Sequence, residues 1–180
     1  MTATASSAWV STLAEENLDA AYNLGRWLLG NEQDAADAVH DAFVRATRSA
    51  HTYAGGNARA WWLAIVRNCC LAALKTRKRE VPVMAVETIV EANADTAAND
   101  VESSAEVEER SRVIERQLRA LPVEFRETLI LREIEDLSYR EIADMLDVPI
   151  GTVMSRLSRG RALLQKALAP RTPEGDLHGL

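Results

Sequence analysis

The sequence has no apolar run approaching the roughly 18 residues that a membrane-spanning helix requires, and its first residues, MTATASSAWV, lack the basic-then-apolar order of a secretion signal. A cytoplasmic location is the expectation. Cysteine is almost absent: Cys69 and Cys70 are neighbours in an apolar helical pattern, where adjacent side chains diverge too far to bridge, so two buried free thiols are expected. His40, His51 and His178 have no Cys or repeated carboxylate beside them at metal-binding spacing, and neither a glycine-rich phosphate loop nor a serine elbow occurs. These absences argue against a metal site, a cofactor, a small-molecule substrate and an enzyme. Period-two alternation is missing too, which leaves an all-α fold.

The charge that is present is unevenly placed. Of the net −6, residues 1–80 contribute +1, residues 81–111 contribute −7 and residues 112–180 are balanced. The acidic segment is poor in aromatic residues and lacks a long apolar stripe, so residues 81–105 read as a flexible acidic linker between two small helical domains, 9–80 and 106–169. The overall acidity therefore does not argue against nucleic-acid binding by the flanking blocks.

Residues 9–79 break clearly only at GNE (30–32) and YAGGN (53–57), which predicts three helices. The first covers about Ser11 to Leu29, with Leu18, Tyr22 and Leu29 facing inward. The second, Glu32 to Ser49, buries Ala35, Val39 and Phe43 and carries Asp34, Asp37, Asp41, Arg45 and Arg48 outside, acid before base as the helix dipole prefers. The third has an apolar middle and a basic end, Arg67, Lys75, Arg77, Lys78 and Arg79, with Trp61 and Trp62 at its start. Two adjacent tryptophans cannot both face inward on a helix. One is expected outside, where an aromatic beside a basic strip suits the stacking of unpaired bases.

In SYREIADMLDVPIGTVMSRLSRGR (138–161), Ser138 and Glu141 have capping-box spacing, so a helix starts near Tyr139. Pro149 ends it at about Leu146 or Asp147. Val153, Leu157 and Leu164 then continue an inward face, while Thr152, Ser155, Arg156 and Arg159 form a polar one. From Gly151 to Arg171 there are five basic residues and no acidic one. Two helices crossing at a tight turn, the second rich in donors, form a helix-turn-helix sized for the major groove. Asp147 stands where such turns often have Gly, and Asp tolerates the left-handed conformation required there.

Over nearly its whole length the sequence resembles bacterial sigma factors of the extracytoplasmic-function group, in the sigma-70 family. DAADAVHDAFVRATR resembles the region 2 helix that docks on the polymerase clamp, and WWLAIVRNCCLAALKTRKR resembles the helix that melts the promoter and reads the minus-10 element. LRALPVEFRETLILREIEDLSYREIADMLDVPIGTVMSRLSRGRALLQ resembles region 4, which reads the minus-35 element. The resemblance implies a three-helix region 2 bundle and a four-helix region 4, with core RNA polymerase and promoter DNA as partners and an anti-sigma factor, often membrane-anchored, as inhibitor. It implies core-polymerase contacts by Asp37, Asp41 and Arg45, and minus-10 contacts by Tyr53, Asn57, Trp61, Arg67, Asn68, Lys75 and Arg77. Minus-35 contacts would come from Thr152, Ser155, Arg156, Arg159 and Arg161. Three departures stand out: His40 replaces the usual Gln, Met154 replaces a common Lys or Arg, and the loop 53–57 lacks a charged residue. A stand-alone helix-turn-helix regulator is the alternative, but it leaves the first helical block without a task.

Overall fold

The computed structural model describes residues 3–80 and 102–169, with side chains over 8–77 and 109–169. Among the described residues the secondary structure is helical and no strand occurs. The span 81–101, most of the expected linker, lies outside the described residues, as do His178 and Arg171.

The first block comprises α1 (Ala3–Glu16), α2 (Leu18–Leu29), α3 (Glu32–Ser49) and α4 (Ala58–Glu80), with a 3-10 turn at Ala50–Thr52. Helices α2, α3 and α4 pack mutually as a three-helix bundle, and α1 lies against α3 and α4. The single helix expected over 11–29 is therefore two. Asn17 breaks it: its side-chain amide donates to the Leu13 carbonyl at 2.8 Å, competing with the backbone ladder. Leu18, expected inside, opens the new helix and is 52 % exposed. Gly30 closes α2 in the left-handed conformation (φ 85). The Asn31 side chain then caps α3 by accepting from the Asp34 amide at 2.7 Å. Trp62, Leu63 and Val66 of α4 are completely buried at the bundle centre, together with Leu24 and Val10.

The second block comprises α5 (Glu102–Ala120), α6 (Val123–Leu129), running on as a π-helical turn Ile130–Ile134, then α7 (Tyr139–Leu146) and α8 (Ile150–Leu168). Helix α5 begins at Glu102, inside the span expected to be linker. Helices α5, α6 and α7 all pack on α8. At Gly160 the backbone of α8 comes so close to α6 that a β-carbon would lie 3.0 Å from Leu129 Cδ1 and 3.3 Å from Phe125 Cβ. Only glycine permits this spacing without the neighbours shifting.

The start of α7 has both arms of the capping box. The Ser138 hydroxyl accepts from the Glu141 amide at 3.3 Å, and the Glu141 carboxylate accepts from the Ser138 amide at 2.7 Å. The bond from Ser138, followed by one from Asn57, holds the Glu141 carboxyl below its ordinary range. Because that value is lowered on folding, the carboxylate contributes stability above the unfolded-state value, lost as pH falls through the lowered one. Ser138→Ala is expected to cost about 1 kcal/mol, measured by urea denaturation at neutral pH. Unchanged stability would show that the exposed cap contributes nothing to the helix.

Candidate nucleic-acid interface

Helices α7 and α8 meet at Asp147, which adopts the left-handed conformation (φ 53, ψ 51) and donates its amide to Ala143. Pro149 directly precedes α8. This geometry places Val153, Leu157 and Gly160 against the core. On the opposite side, Ser155 and Arg159 are exposed, Thr152 is half-buried, and Met154 is 51 % exposed. Arg156 belongs to the expected polar stripe but lies at its edge, 3.8 Å from the Glu127 carboxylate of α6. Arg161 is exposed and donates to Glu133 at 3.1 Å through Nε. That bond, above all, pushes its guanidinium further into the charged range.

The residues expected at the minus-10 side divide between α4 and the loop before it. Tyr53 is half-buried, its hydroxyl donating to the Gly56 carbonyl at 2.6 Å. Asn57 accepts from the Ala60 amide at 3.2 Å, which caps α4, and donates through its side-chain amide to Glu141. Trp62 is completely buried, and its indole N–H has no hydrogen-bond partner among the described residues. Trp61 is the outer member of the pair, yet it is half-covered, its ring 5.6 Å from that of Trp9 and 5.7 Å from that of Tyr53. Asn68 and Lys75 are exposed, and Arg77 pairs with Asp34 at 2.8 Å.

Arg67 is the least exposed of these cations, with 14 % of its side chain accessible. It meets Glu127 in a two-pronged pair, Nε to Oε2 at 2.8 Å and Nη2 to Oε1 at 3.1 Å. Glu127 is itself buried. One carboxylate thus receives an arginine expected at the minus-10 element and stands beside one expected at the minus-35 element. Further bridges join the halves, among them Asn57 to Glu141 and the 3.8 Å pair of Arg26 with Glu115. Arg59 donates to the Glu135 carbonyl at 2.6 Å and to its carboxylate, and Arg119 donates to the Gly30 carbonyl at 3.2 Å. Burial raises the Glu135 carboxyl above its usual range, a shift that Arg59 opposes.

None of these bridges involves Asp37, Asp41 or Arg45 of α3. Asp37, Asp41 and Arg45 are all exposed, and the contact recorded for either acid is a 3.4 Å bond from Gln33 to Asp37. Cys69 and Cys70 are buried free thiols, and burial pushes Cys70 up to about 12. No thiolate is available there at neutral pH. Among the described residues no group of three His, Cys, Asp or Glu side chains is placed to hold a metal, and no helix is long and apolar enough to cross a membrane.

Sequence reasoning missed Trp9, Arg59, Glu127 and Glu135. Glu127 did leave a signal, a carboxylate at the edge of the apolar run TLIL, but its partner is 60 residues away. Nothing local to either position pairs them.

Comparison with known families matches Sigma-70 region 2 to residues 13–80 and Sigma-70, region 4 to residues 111–164. The chain is 34 % identical over 165 residues to ECF RNA polymerase sigma factor SigE of Mycolicibacterium smegmatis, covering 90 % of this chain and 62 % of that protein. It thus spans less than two thirds of that relative. It is 35 % identical over 144 residues to RNA polymerase sigma-H factor of Pseudomonas aeruginosa, covering 77 % of this chain and 75 % of the relative. Among solved structures, the sigma factor RpoE of Bartonella quintana, in complex with the anti-sigma factor NepR, superposes with a TM-score of 0.73. That pair is 25 % identical, covering 90 % of this chain and 98 % of the other.

Proposed function

Because the chain belongs to the extracytoplasmic-function group of sigma-70 family RNA polymerase sigma factors, we propose that it binds core polymerase through the acidic stripe of α3 and reads promoters with its two halves. Residues 9–80 act at the minus-10 element and residues 106–169 at the minus-35 element. It is not an enzyme; the polymerase performs the chemistry. The chain works in the cytoplasm, where polymerase is. An anti-sigma factor holds it inactive, a reading supported by the complex in which the Bartonella quintana relative was solved.

The observation that carries the reading is the coexistence of two motifs in one chain: a helix-turn-helix with exposed Ser155 and Arg159, and a separate block with Asp37 and Asp41 exposed on α3. A stand-alone regulator needs only the first. Asn57 and Arg67 are committed to carboxylates of the other half. Promoter reading through them requires α4 to part from α6 and α7.

Transcription in vitro tests the function: core polymerase plus this chain initiates from a fixed start point on its promoter, and core alone does not. Tight autonomous binding to duplex DNA without affinity for core polymerase would favour the regulator instead. Within that assay, Arg159→Ala is expected to weaken minus-35 recognition by about 1 to 3 kcal/mol if the guanidinium meets a base edge, or binding to all sequences alike if it meets phosphate. Core affinity stays constant in either case. A parallel loss of core affinity would show that α8 faces polymerase rather than DNA.

A further inference from the structure

The loop at residues 53–57 has little of its own to hold its shape. Gly55 and Gly56 both lie in the left-handed region, at φ 96 and φ 91, and among the described residues nothing packs within 4 Å of where a side chain would begin on either. Backbone of this kind is free to move unless something outside it restrains it. At its far end Asn57 is tied to the Ala60 amide and to Glu141; at its near end the restraint runs through Tyr53. Its hydroxyl closes the loop on the Gly56 carbonyl, and its ring lies 4.9 Å from the Trp9 ring and 5.7 Å from the Trp61 ring. The Trp9 and Trp61 rings are in turn 5.6 Å apart. All three spacings are within the range of attractive aromatic contacts.

Trp9 belongs to α1, and α1 is fastened to the bundle by Val10 and Leu13, both buried. The ring therefore projects from a fixed support. It also lies ahead of residue 13, where the match to Sigma-70 region 2 begins. One of the two rings packed on Tyr53 is thus supplied by a part of the chain outside the matched region.

We propose that Trp9 is a positioning residue for minus-10 recognition: packed against Tyr53 and Trp61, it fixes the loop 53–57 in the shape that meets a promoter base. The proposal rests on the reading of that loop as a minus-10 contact. Trp9 acts through Tyr53, the loop residue it packs on, rather than by touching the base itself.

The test uses full-length protein in holoenzyme, transcribing four promoters that differ only in the base of the minus-10 element to which initiation is most sensitive. Trp9→Ala and Trp9→Leu are expected to shrink the spread of initiation rates among the four by about fivefold, the lower end of what one base contact discriminates. Trp9→Phe, which keeps a ring, restores the spread. Core affinity and minus-35 dependence remain at the wild-type level. Trp9→Leu retains the apolar burial, so a full spread in that variant overturns the proposal even if Trp9→Ala folds poorly. Gly56→Ala, which strains the loop at positive φ, separates the two layers of inference. If it alters the spread and the Trp9 variants do not, the loop reads the base and Trp9 does not position it. If neither alters it, the loop is not the minus-10 contact and the proposal falls with that reading.

Discussion

Replacing Asp37 and Asp41 together by arginine is expected to abolish assembly with core polymerase while leaving the fold intact. Both acids are exposed on α3, one turn apart, with Arg45 a further turn along. Helix α3 is already capped by Asn31 and is held by Ala35, Ala38, Ala42 and Ala46 on its other side, so neither acid is needed for folding. Reversing both charges sets like against like across an interface, at a cost of several kcal/mol, which corresponds to about a hundredfold or more in affinity. A pull-down with core polymerase, alongside a thermal melt of the free protein, reads both quantities. Retained assembly would leave the two acids with no role beyond solubility.

The local features of this chain were legible because local physics decides them. The capping box at Ser138 and Glu141, the left-handed turn at Asp147 and the start of α8 after Pro149 all lie where their spacing predicts. That only one of the adjacent tryptophans is fully buried was also legible, since a helix cannot turn both inward, but the cover that Trp9 and Tyr53 give Trp61 was not. Leu18 failed because the pattern from 11 to 29 is apolar enough to pass for one helix. The break is made by a single side-chain bond from Asn17, which periodicity does not register. The bridges between the halves failed for a different reason. Arg67 and Asn57 read as free DNA-facing groups because a polar group on a plain surface and one on a nucleic-acid interface look alike in sequence, and Arg59 carried no signal of its own. Only the tertiary arrangement, which sets α4 on α7 and α2 on α6, brings Glu127, Glu135 and Glu141 to them.

Glu127→Gln is expected to open the molecule. The carboxylate is buried beneath both blocks, receives the two-pronged bond from Arg67 and lies 3.8 Å from Arg156. The amide keeps the shape and removes the charge, leaving two poorly exposed guanidinium groups without their counter-ion. Deleting one partner of a buried pair costs about 3 to 5 kcal/mol, because the remaining charge stays desolvated. Arg67 can relieve part of that cost by moving into water, which releases α4 from α6. The melting temperature should therefore fall by on the order of 10 °C, and the radius of gyration in solution should rise. Affinity of the free chain for a forked minus-10 DNA should rise as well, because Arg67 is no longer engaged. Arg67→Met added to Glu127→Gln should recover part of the stability, since it removes the stranded charge; the double-mutant cycle measures that coupling. A Glu127→Gln protein with unchanged radius and unchanged DNA affinity would show that the halves are held by their apolar contacts alone. In that case Arg67 would be a structural residue and the minus-10 contact would fall to Asn68 and Lys75, the exposed polar groups further along α4.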